Sequence, residues 1–143
     1  MVALSIYLDA SVLVPLFADD PFTERARTLA TGSRSALIVS DFAAAEFASA
    51  LGLRCRMRTS TAESAKTALG DFDDWSKRFA VAADMHGADI RAADAFLRRL
   101  DLNLRTPDAI HIAIAQRLGA QLATFDVRMA DCARALGAPV IAL

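Results

Sequence analysis

The stretch A-L-S-I-Y-L-D-A-S, residues 3–11, places an aspartate directly after a short, continuous apolar run. The run at 3–8 predicts a buried strand, and the segment that begins at Asp9 predicts a short helix that continues to residue 17. The same alternation recurs along the sequence. Further strands are predicted at 36–40, 79–82, 121–124 and 139–141, and further helices at 21–32, 41–58, 61–78, 86–100, 106–118 and 128–136. This alternation predicts an α/β fold whose mostly parallel sheet of about five short strands is covered by helices on both faces.

Length and composition restrict the class of protein further. The 143 residues predict one domain spanning 1–143, and the 55% hydrophobic and 23% charged residues exclude a disordered chain. No apolar run reaches the ~18 residues that a membrane-spanning helix needs, and the net charge of −1 provides no strong field towards nucleic acid or membranes. Residues 1–9 lack the basic start of a secretory signal, so we expect a cytoplasmic protein. With no CxxC around Cys55 or Cys132 and only two histidines, neither a disulfide framework nor a zinc site is predicted.

Four acidic residues occupy positions that favour a functional role. Asp9 and Asp126 follow predicted strands, and Asp108 lies in the first turn of a helix whose cap is predicted to be Thr106. Glu46 lies inside a helix and has no basic neighbour three or four residues away. Each has a structural alternative, which is an N-cap for Asp9 and Asp126, a helix-dipole contact for Asp108 and a solvated side chain for Glu46.

The predicted topology brings these acids together. Because the carboxyl ends of parallel strands meet at one edge of a sheet, we expect the four carboxylates to gather there, with no obvious Lys or Arg among them. Carboxylates gathered in this way repel one another and take up protons or bind cations. A ligand set made only of oxygens selects hard cations such as Mg²⁺ or Mn²⁺, which commonly serve phosphate chemistry.

Four motifs in order resemble those of the PIN-domain family, and within it the VapC-type toxins of bacterial toxin–antitoxin pairs. They are I-Y-L-D-A-S-V-L at 6–13, A-A-E-F at 44–47, T-P-D-A-I-H-I-A at 106–113 and L-A-T-F-D at 122–126. The resemblance implies a PIN-like three-layer α/β sandwich and a Mg²⁺- or Mn²⁺-dependent endoribonuclease. The family's catalytic and metal-binding acids fall on Asp9, Glu46, Asp108 and Asp126. The hydroxyls expected beside these acids are those of Ser11, Thr106 and Thr124.

The resemblance also implies partners and leaves one position open. It implies an RNA substrate such as tRNA or rRNA, a small cognate antitoxin whose tail covers the active site, and a homodimer without membrane attachment. The last motif of the family often continues with a bulky aromatic residue three positions after the acid, where this sequence has Met129. Asp131 is close by, so whether it joins the site stays open.

Basic residues and one histidine have two interpretations each. Arg54, Arg56 and Arg58 end a predicted helix, where they suit the helix dipole or contact RNA phosphates. Of these, Arg54 and Arg58 are candidate substrate-binding residues together with Arg105, which precedes the third motif. His111, three residues after Asp108, is interpreted as a hydrogen-bonded boundary residue rather than a catalytic base.

Other functions remain as alternatives to a toxin nuclease. The same motifs fit a PIN-type nuclease in RNA processing outside toxin–antitoxin biology, or an inactive domain kept as a binding module. A phospho-receiver domain also has acids at strand ends, but it needs a Lys after a late strand, and Lys66 and Lys77 lie in a predicted helix. A haloacid-dehalogenase phosphatase needs Asp-x-Asp where this sequence has Asp9-Ala-Ser11.

Overall fold

The computed structural model describes residues 5–143, which form a sheet of four parallel strands between two layers of helices. The strands are β1 (Ile6–Leu8), β2 (Leu37–Ser40), β3 (Ala80–Ala83) and β4 (Gln121–Ala123), in the order β3-β2-β1-β4. The predicted α/β class and parallel sheet are confirmed. Positions 3 and 4 of the first predicted strand lie outside the described residues.

The strand predicted at 139–141 does not form, so the described residues contain four strands rather than five. The segment makes a single parallel bridge between Val140 and Leu122. The Leu122 N–H donates to the carbonyl of Pro139, and the Ile141 N–H donates to the carbonyl of Leu122, each at 2.9 Å. Pro139 has no N–H of its own to extend the ladder.

Seven helices cover the sheet in the described residues. They are α1 (Ala10–Phe17), α2 (Thr23–Gly32), α3 (Asp41–Arg56), α4 (Ala62–Phe79), α5 (Gly87–Leu97), α6 (Thr106–Arg117) and α7 (Val127–Ala135). Each of them was predicted, with boundaries that shift by up to three residues. The largest shift is at the end of α5, because Leu100 is 92% exposed and has no core to join. Among residues 5–143 no helix is both long and apolar enough to cross a membrane.

The alternation of side chains along β1 divides the apolar residues into two cores. Ile6 and Leu8 pack on one face with residues of α1, α3 and α4. Tyr7 points to the opposite face and packs with residues of α5, α6 and α7. This arrangement follows from the two-residue period of a strand and gives the three-layer sandwich.

A buried ion pair joins α5 to α6. Asp89, which is 2% exposed, accepts hydrogen bonds from Arg117 Nε at 2.8 Å and from Arg117 Nη2 at 3.0 Å. It also accepts a hydrogen bond from the His86 N–H at 2.7 Å. Burial raises the pKa of Asp89, but the bonds from Arg117 and His86 outweigh it, so the pKa lies below its ordinary value.

Candidate active site

Asp9 begins the site because it directly follows β1 at the carboxyl edge of the sheet. Its N–H donates to the carbonyl of Ala123 at 3.3 Å, which ties the end of β1 to the end of β4. Its side chain makes no cap bond to α1. Instead, Oδ1 accepts a hydrogen bond from Ser11 Oγ and Oδ2 accepts one from Thr124 Oγ1, each at 2.6 Å. Asp9 therefore occupies the N-cap position of α1, as its structural alternative expects, but its carboxylate is held by the two hydroxyls at the edge of the sheet.

The two hydroxyls that hold Asp9 have fixed directions. Ser11 Oγ accepts from the Phe125 N–H at 2.9 Å, and Thr124 Oγ1 accepts from the Asp126 N–H at 3.0 Å. Since backbone donors occupy these oxygens, both hydroxyl hydrogens are free to point towards the carboxylate of Asp9.

The charge of Asp9 is not balanced by a direct ion pair. The residue is 4% exposed, and within residues 5–143 no Lys or Arg side chain lies within salt-bridge distance of it. Burial raises the pKa of its carboxyl above the ordinary value, while the hydrogen bonds from Ser11 and Thr124 act in the opposite direction. A buried carboxylate in this state suits an incoming cation.

Arg128 joins two of the other acids, which corrects the expectation that no Lys or Arg lies among them. Its Nη2 lies 3.1 Å from Asp108 Oδ2 and 3.6 Å from Asp126 Oδ2, and its Nη1 donates to the carbonyl of Asn103 at 2.9 Å. Arg128 lies in the first turn of α7, where a positive charge opposes the helix dipole. That unfavourable position is the signal by which the sequence could have revealed a specific acidic partner.

The starts of α6 and α7 orient Asp108 and Asp126. The prediction that Thr106 caps α6 is wrong, because Thr106 is the first residue of the helix and its N-cap is Arg105. Asp108, three residues later, accepts from the Arg105 N–H at 3.1 Å, whereas Thr106 is exposed. Asp126 caps α7 by accepting from the Met129 N–H at 3.1 Å. Both aspartates therefore serve a helix start while facing Arg128.

Glu46 meets the site through a histidine from another helix. Oε1 of Glu46, on α3, is hydrogen-bonded to Nε2 of His111, on α6. The ring of His111 is buried, and its Nδ1 lies 2.6 Å from the hydroxyl of Tyr7. Tyr7 in turn lies 2.7 Å from Ser40 Oγ. These contacts of Glu46 were not predicted from the sequence, although Tyr7 lies in the first motif at 6–13 and His111 in the third at 106–113.

The remaining predicted residues divide into those at the site and those elsewhere. Arg105 is exposed, with its Nε 3.6 Å from Asp108 Oδ2, so it borders the carboxylates. Arg54 is held by Asp20 at 2.8 Å. Arg58 is exposed beyond the end of α3. Asp131 lies 3.3 Å from Arg134 on an exposed part of α7 and does not share the contacts with Arg128 that link Asp108 and Asp126.

A small hollow adjoins the carboxylates. It has a volume of about 290 Å³ and is lined by Ser11, Asp20 and Asp126 together with apolar side chains. Two of these, Phe22 and Phe125, stack with ring centroids 4.6 Å apart, and the guanidinium of Arg25 lies 5.3 Å from each centroid. The hollow therefore offers aromatic surface and two carboxylates next to the site, and Arg25 contacts the same two rings without lining the hollow.

The chemistry of the donors fits a hard divalent cation. The four acids supply only oxygen ligands, which Mg²⁺ and Mn²⁺ prefer. The described residues contain no group of three or more ligand side chains already drawn together as a metal cluster. Arg128 supplies positive charge to Asp108 and Asp126, whereas Asp9 has no such partner in the part of the chain described.

Comparison with known proteins identifies similar chains. The model of the PIN domain matches residues 6–135. The chain is 36% identical over 141 residues to ribonuclease VapC46 of Mycobacterium tuberculosis (strain ATCC 25618 / H37Rv), covering 96% of this chain and 97% of that protein. The crystal structure of M. tuberculosis VapC20, described as a sarcin-ricin loop cleaving toxin, matches with a TM-score of 0.75 and 18% identity, covering 96% of this chain and 98% of VapC20. VapBC2 from Rickettsia felis, bound to a DNA fragment from their promoter, matches with a TM-score of 0.65 and 15% identity over 90% of this chain and 93% of that chain.

Proposed function

The chain belongs to the PIN domain family, and from this premise we propose that it is a metal-dependent endoribonuclease that acts as the toxin of a type II toxin–antitoxin pair. The observation that carries the proposal is the buried carboxylate of Asp9, which is held by two hydroxyls at the edge of the sheet without a salt-bridge partner in residues 5–143. A buried acid of this kind is a candidate for a functional site. The similarity to ribonuclease VapC46 over nearly the whole chain supports RNA as the substrate.

The four acids would hold the metal in this proposal. Asp9, Glu46, Asp108 and Asp126 supply oxygen ligands of the type that Mg²⁺ or Mn²⁺ binds. When bound, such an ion polarises a phosphoryl oxygen and lowers the pKa of a bound water.

The protein's own side chains would orient the reaction. Ser11 and Thr124 hold the carboxylate of Asp9 in one orientation, and Arg105 at the exposed border binds a phosphate of the RNA. Glu46 is half-buried with Oε1 held by His111, so its other oxygen is available to accept a hydrogen bond from the attacking water. Water adds to phosphorus, the phosphodiester bond to the leaving oxygen breaks, and that oxygen takes up a proton.

The partners follow from the same proposal. The substrate is RNA such as tRNA or rRNA, and the aromatic hollow beside Asp126 offers a surface on which an unpaired base can stack. A small cognate antitoxin covers the carboxylate edge. The fold shared with VapBC2 of R. felis supports the toxin–antitoxin assignment. We also propose that the protein works as a single-domain homodimer in the cytoplasm.

The test uses purified protein free of any partner. It is incubated with a pool of tRNA and rRNA in Mg²⁺, in Mn²⁺ and in EDTA, beside Asp108→Asn and the control Asp131→Asn, whose carboxylate pairs with Arg134 outside the site. We expect cleavage that needs metal, is lost in Asp108→Asn and persists in Asp131→Asn. Equal cleavage by all three proteins would refute the proposed site. No cleavage by the unaltered protein, together with no Mn²⁺ binding by calorimetry, would refute the nuclease.

A further inference from the structure

We propose that His111 is a positioning residue for Glu46. Ser40 donates a hydrogen bond to Tyr7, and Tyr7 donates one to His111, and these two bonds fix the orientation of the His111 ring. The inference rests on the proposed function, because it assigns a role within the same site. It depends on two contacts of His111, one with Glu46, 65 positions away in the sequence, and one with Tyr7, 104 positions away. We call the four residues Ser40, Tyr7, His111 and Glu46 the Glu46 chain.

The buried end of the Glu46 chain determines the direction of its first bond. Ser40 is completely buried as the N-cap of α3, and its Oγ accepts a hydrogen bond from the Ala43 N–H at 3.0 Å. Among the described residues, the remaining hydrogen-bond partner of this hydroxyl is Tyr7, at 2.7 Å. A buried hydroxyl hydrogen without an acceptor is costly, so Ser40 donates to the oxygen of Tyr7.

The bond from Ser40 to Tyr7 also determines which atom donates in each of the next two hydrogen bonds of the Glu46 chain. The phenol oxygen of Tyr7 accepts from Ser40, so its own hydrogen is directed to Nδ1 of His111 at 2.6 Å. Burial raises the pKa of Tyr7, which keeps the phenol in the protonated form that can donate. A neutral imidazole that accepts at Nδ1 carries its hydrogen on Nε2. His111 Nε2–H therefore donates to Oε1 of Glu46.

The reverse direction leaves groups unsatisfied. If Tyr7 donated to Ser40, the hydroxyl hydrogen of Ser40 would have no acceptor in the described residues, and Nδ1 of His111 would have to carry a proton. The forward direction instead gives an acceptor to the hydroxyl hydrogens of both Ser40 and Tyr7. The tilted rings of Phe42 and Tyr7, with centroids 4.9 Å and 5.6 Å from that of His111, also restrict the imidazole.

His111 is therefore a hydrogen-bond donor in a fixed position, and it contacts the side chain of Glu46, which could otherwise rotate. Glu46 lies in the middle of α3 and is partly exposed at the site, where a glutamate can adopt several rotamers. His111 holds one of its two oxygens, and the other accepts no hydrogen bond from the described residues. Groups that hold a metal ligand or reacting group in place in this way commonly affect rate or metal affinity by about 10–100-fold.

The first experiment measures the position of the hydrogen directly and does not depend on cleavage. The sequence contains two histidines, His86 and His111. A long-range proton–nitrogen NMR spectrum of ¹⁵N-labelled His86→Gln protein therefore reports His111 alone, without metal or RNA. We expect hydrogen on Nε2 and none on Nδ1. A hydrogen on Nδ1 would overturn the proposal.

The second experiment compares two substitutions of His111. The amide nitrogen of Gln can take the place of Nε2 and donate to Glu46, whereas the shorter Asn cannot reach it. We expect His111→Asn to lower kcat by about 10–100-fold with KM unchanged, and His111→Gln to recover most of the rate. His86→Gln serves as the control at native rate. Native kcat in His111→Asn, or equal losses in the two His111 variants, would overturn the proposal.

A third comparison tests whether His111 acts through Glu46 or whether its replacement disturbs the site in general. On a Glu46→Gln background, His111→Asn should cause a loss of less than about twofold in single-turnover rate, because residues that act through one another are not additive. An undiminished loss on that background would contradict the role. If the unaltered protein cleaves no RNA, the proposed function fails, and the NMR result still decides whether His111 donates to Glu46.

Discussion

Two aspartates are buried to nearly the same extent, Asp9 at 4% and Asp89 at 2% exposure, yet their surroundings are opposite. Asp89 receives two hydrogen bonds from the guanidinium of Arg117, and its pKa lies below the ordinary value once these bonds outweigh burial. Asp9 receives hydrogen bonds from Ser11 and Thr124, and burial leaves its pKa raised. The same residue type, equally shielded from water, thus has its charge balanced in one region and unbalanced in the other.

The difference separates an acid that serves the fold from one that serves the site. A paired buried charge holds α5 against α6, and the fold would lose stability without it. An unpaired buried carboxylate weakens the isolated fold, so its presence is explained by something that binds it. For Asp9 we propose that the binding partner is the divalent cation of the proposed reaction.

The largest expected effect comes from Asp9→Asn. We expect RNA cleavage to fall by about 10³-fold or more, because removing a reacting or metal-binding group commonly has effects of this size. We also expect the variant to remain folded, since an amide is less costly to bury than a carboxylate. Cleavage rates and circular dichroism melts measure both. Asp89→Asn is the matched control and should cleave at a near-native rate at a temperature where it is folded. Cleavage at the native rate by Asp9→Asn would show that Asp9, like Asp89, is not required for the reaction.

The second effect concerns stability and its dependence on pH. Asp89→Asn should lower the free energy of unfolding at pH 7 by about 2–3 kcal/mol, because it removes hydrogen bonds to a charged partner. The folded pKa of Asp89 is lowered, so its stabilisation is present above the ordinary value of 3.8 and is lost as the pH falls through the folded pKa. Denaturant unfolding from pH 7 down to acid should therefore show a flatter loss in Asp89→Asn than in the native protein. An equal slope in both would contradict the assignment.

Because the pKa of Asp9 is raised, its contribution to the free energy of unfolding changes with pH in the opposite direction to that of Asp89. Its folded form binds a proton more tightly than the unfolded chain does, so its contribution is greatest in acid and declines as the pH rises through the raised pKa. In metal-free protein, Asp9→Asn should therefore remove a decline in stability towards neutral pH.

The third effect tests Arg128, which gives Asp108 and Asp126 the internal cation that Asp9 lacks. Arg128→Gln should tighten Mn²⁺ binding by about tenfold, equivalent to ~1.4 kcal/mol, because the guanidinium competes with the metal for the two carboxylates. Titration calorimetry measures this affinity. The control is Arg134→Gln on the same helix, whose partner is the exposed Asp131. Weaker Mn²⁺ binding in Arg128→Gln would show that the arginine supports the site instead of competing for it.

Much of the fold could be predicted from the sequence because its signals are local. The apolar runs at β1, β2 and β4 and the periodicity of the helices are read within windows of a few residues. The family was identified correctly from the four motifs, and the acids of the first and last motifs follow parallel strands whose carboxyl ends share an edge. The segment at 139–141 was wrongly predicted as a strand because a short apolar run does not reveal how many ladder bonds it will make.

The contacts inside the site could not be predicted because they join distant residues. Tyr7 and His111 are 104 positions apart, and Asp108 and Arg128 are 20 apart, so no local pattern links them. Thr106 was taken as the cap because hydroxyl residues favour that position, whereas Arg105 holds it and Asp108 accepts a hydrogen bond from the Arg105 N–H. Local preference thus predicted the position of the helix, and the contact between Asp108 and the Arg105 N–H decided which residue caps it.

The smallest effect comes from a third aspartate, Asp94, on the same helix as Asp89. Asp94 pairs with Arg98 at 3.0 Å, but the two side chains are 62% and 78% exposed. An exposed pair of this kind contributes less than about 0.5 kcal/mol, because water screens the charges and both side chains lose rotamer freedom. We expect Asp94→Asn to change the free energy of unfolding by no more than that amount in a denaturant titration. If Asp94→Asn lowered the free energy of unfolding as much as Asp89→Asn, then pairing with arginine, and not burial, would determine the size of the stabilisation. The comparison between Asp9 and Asp89 would then rest on their partners alone.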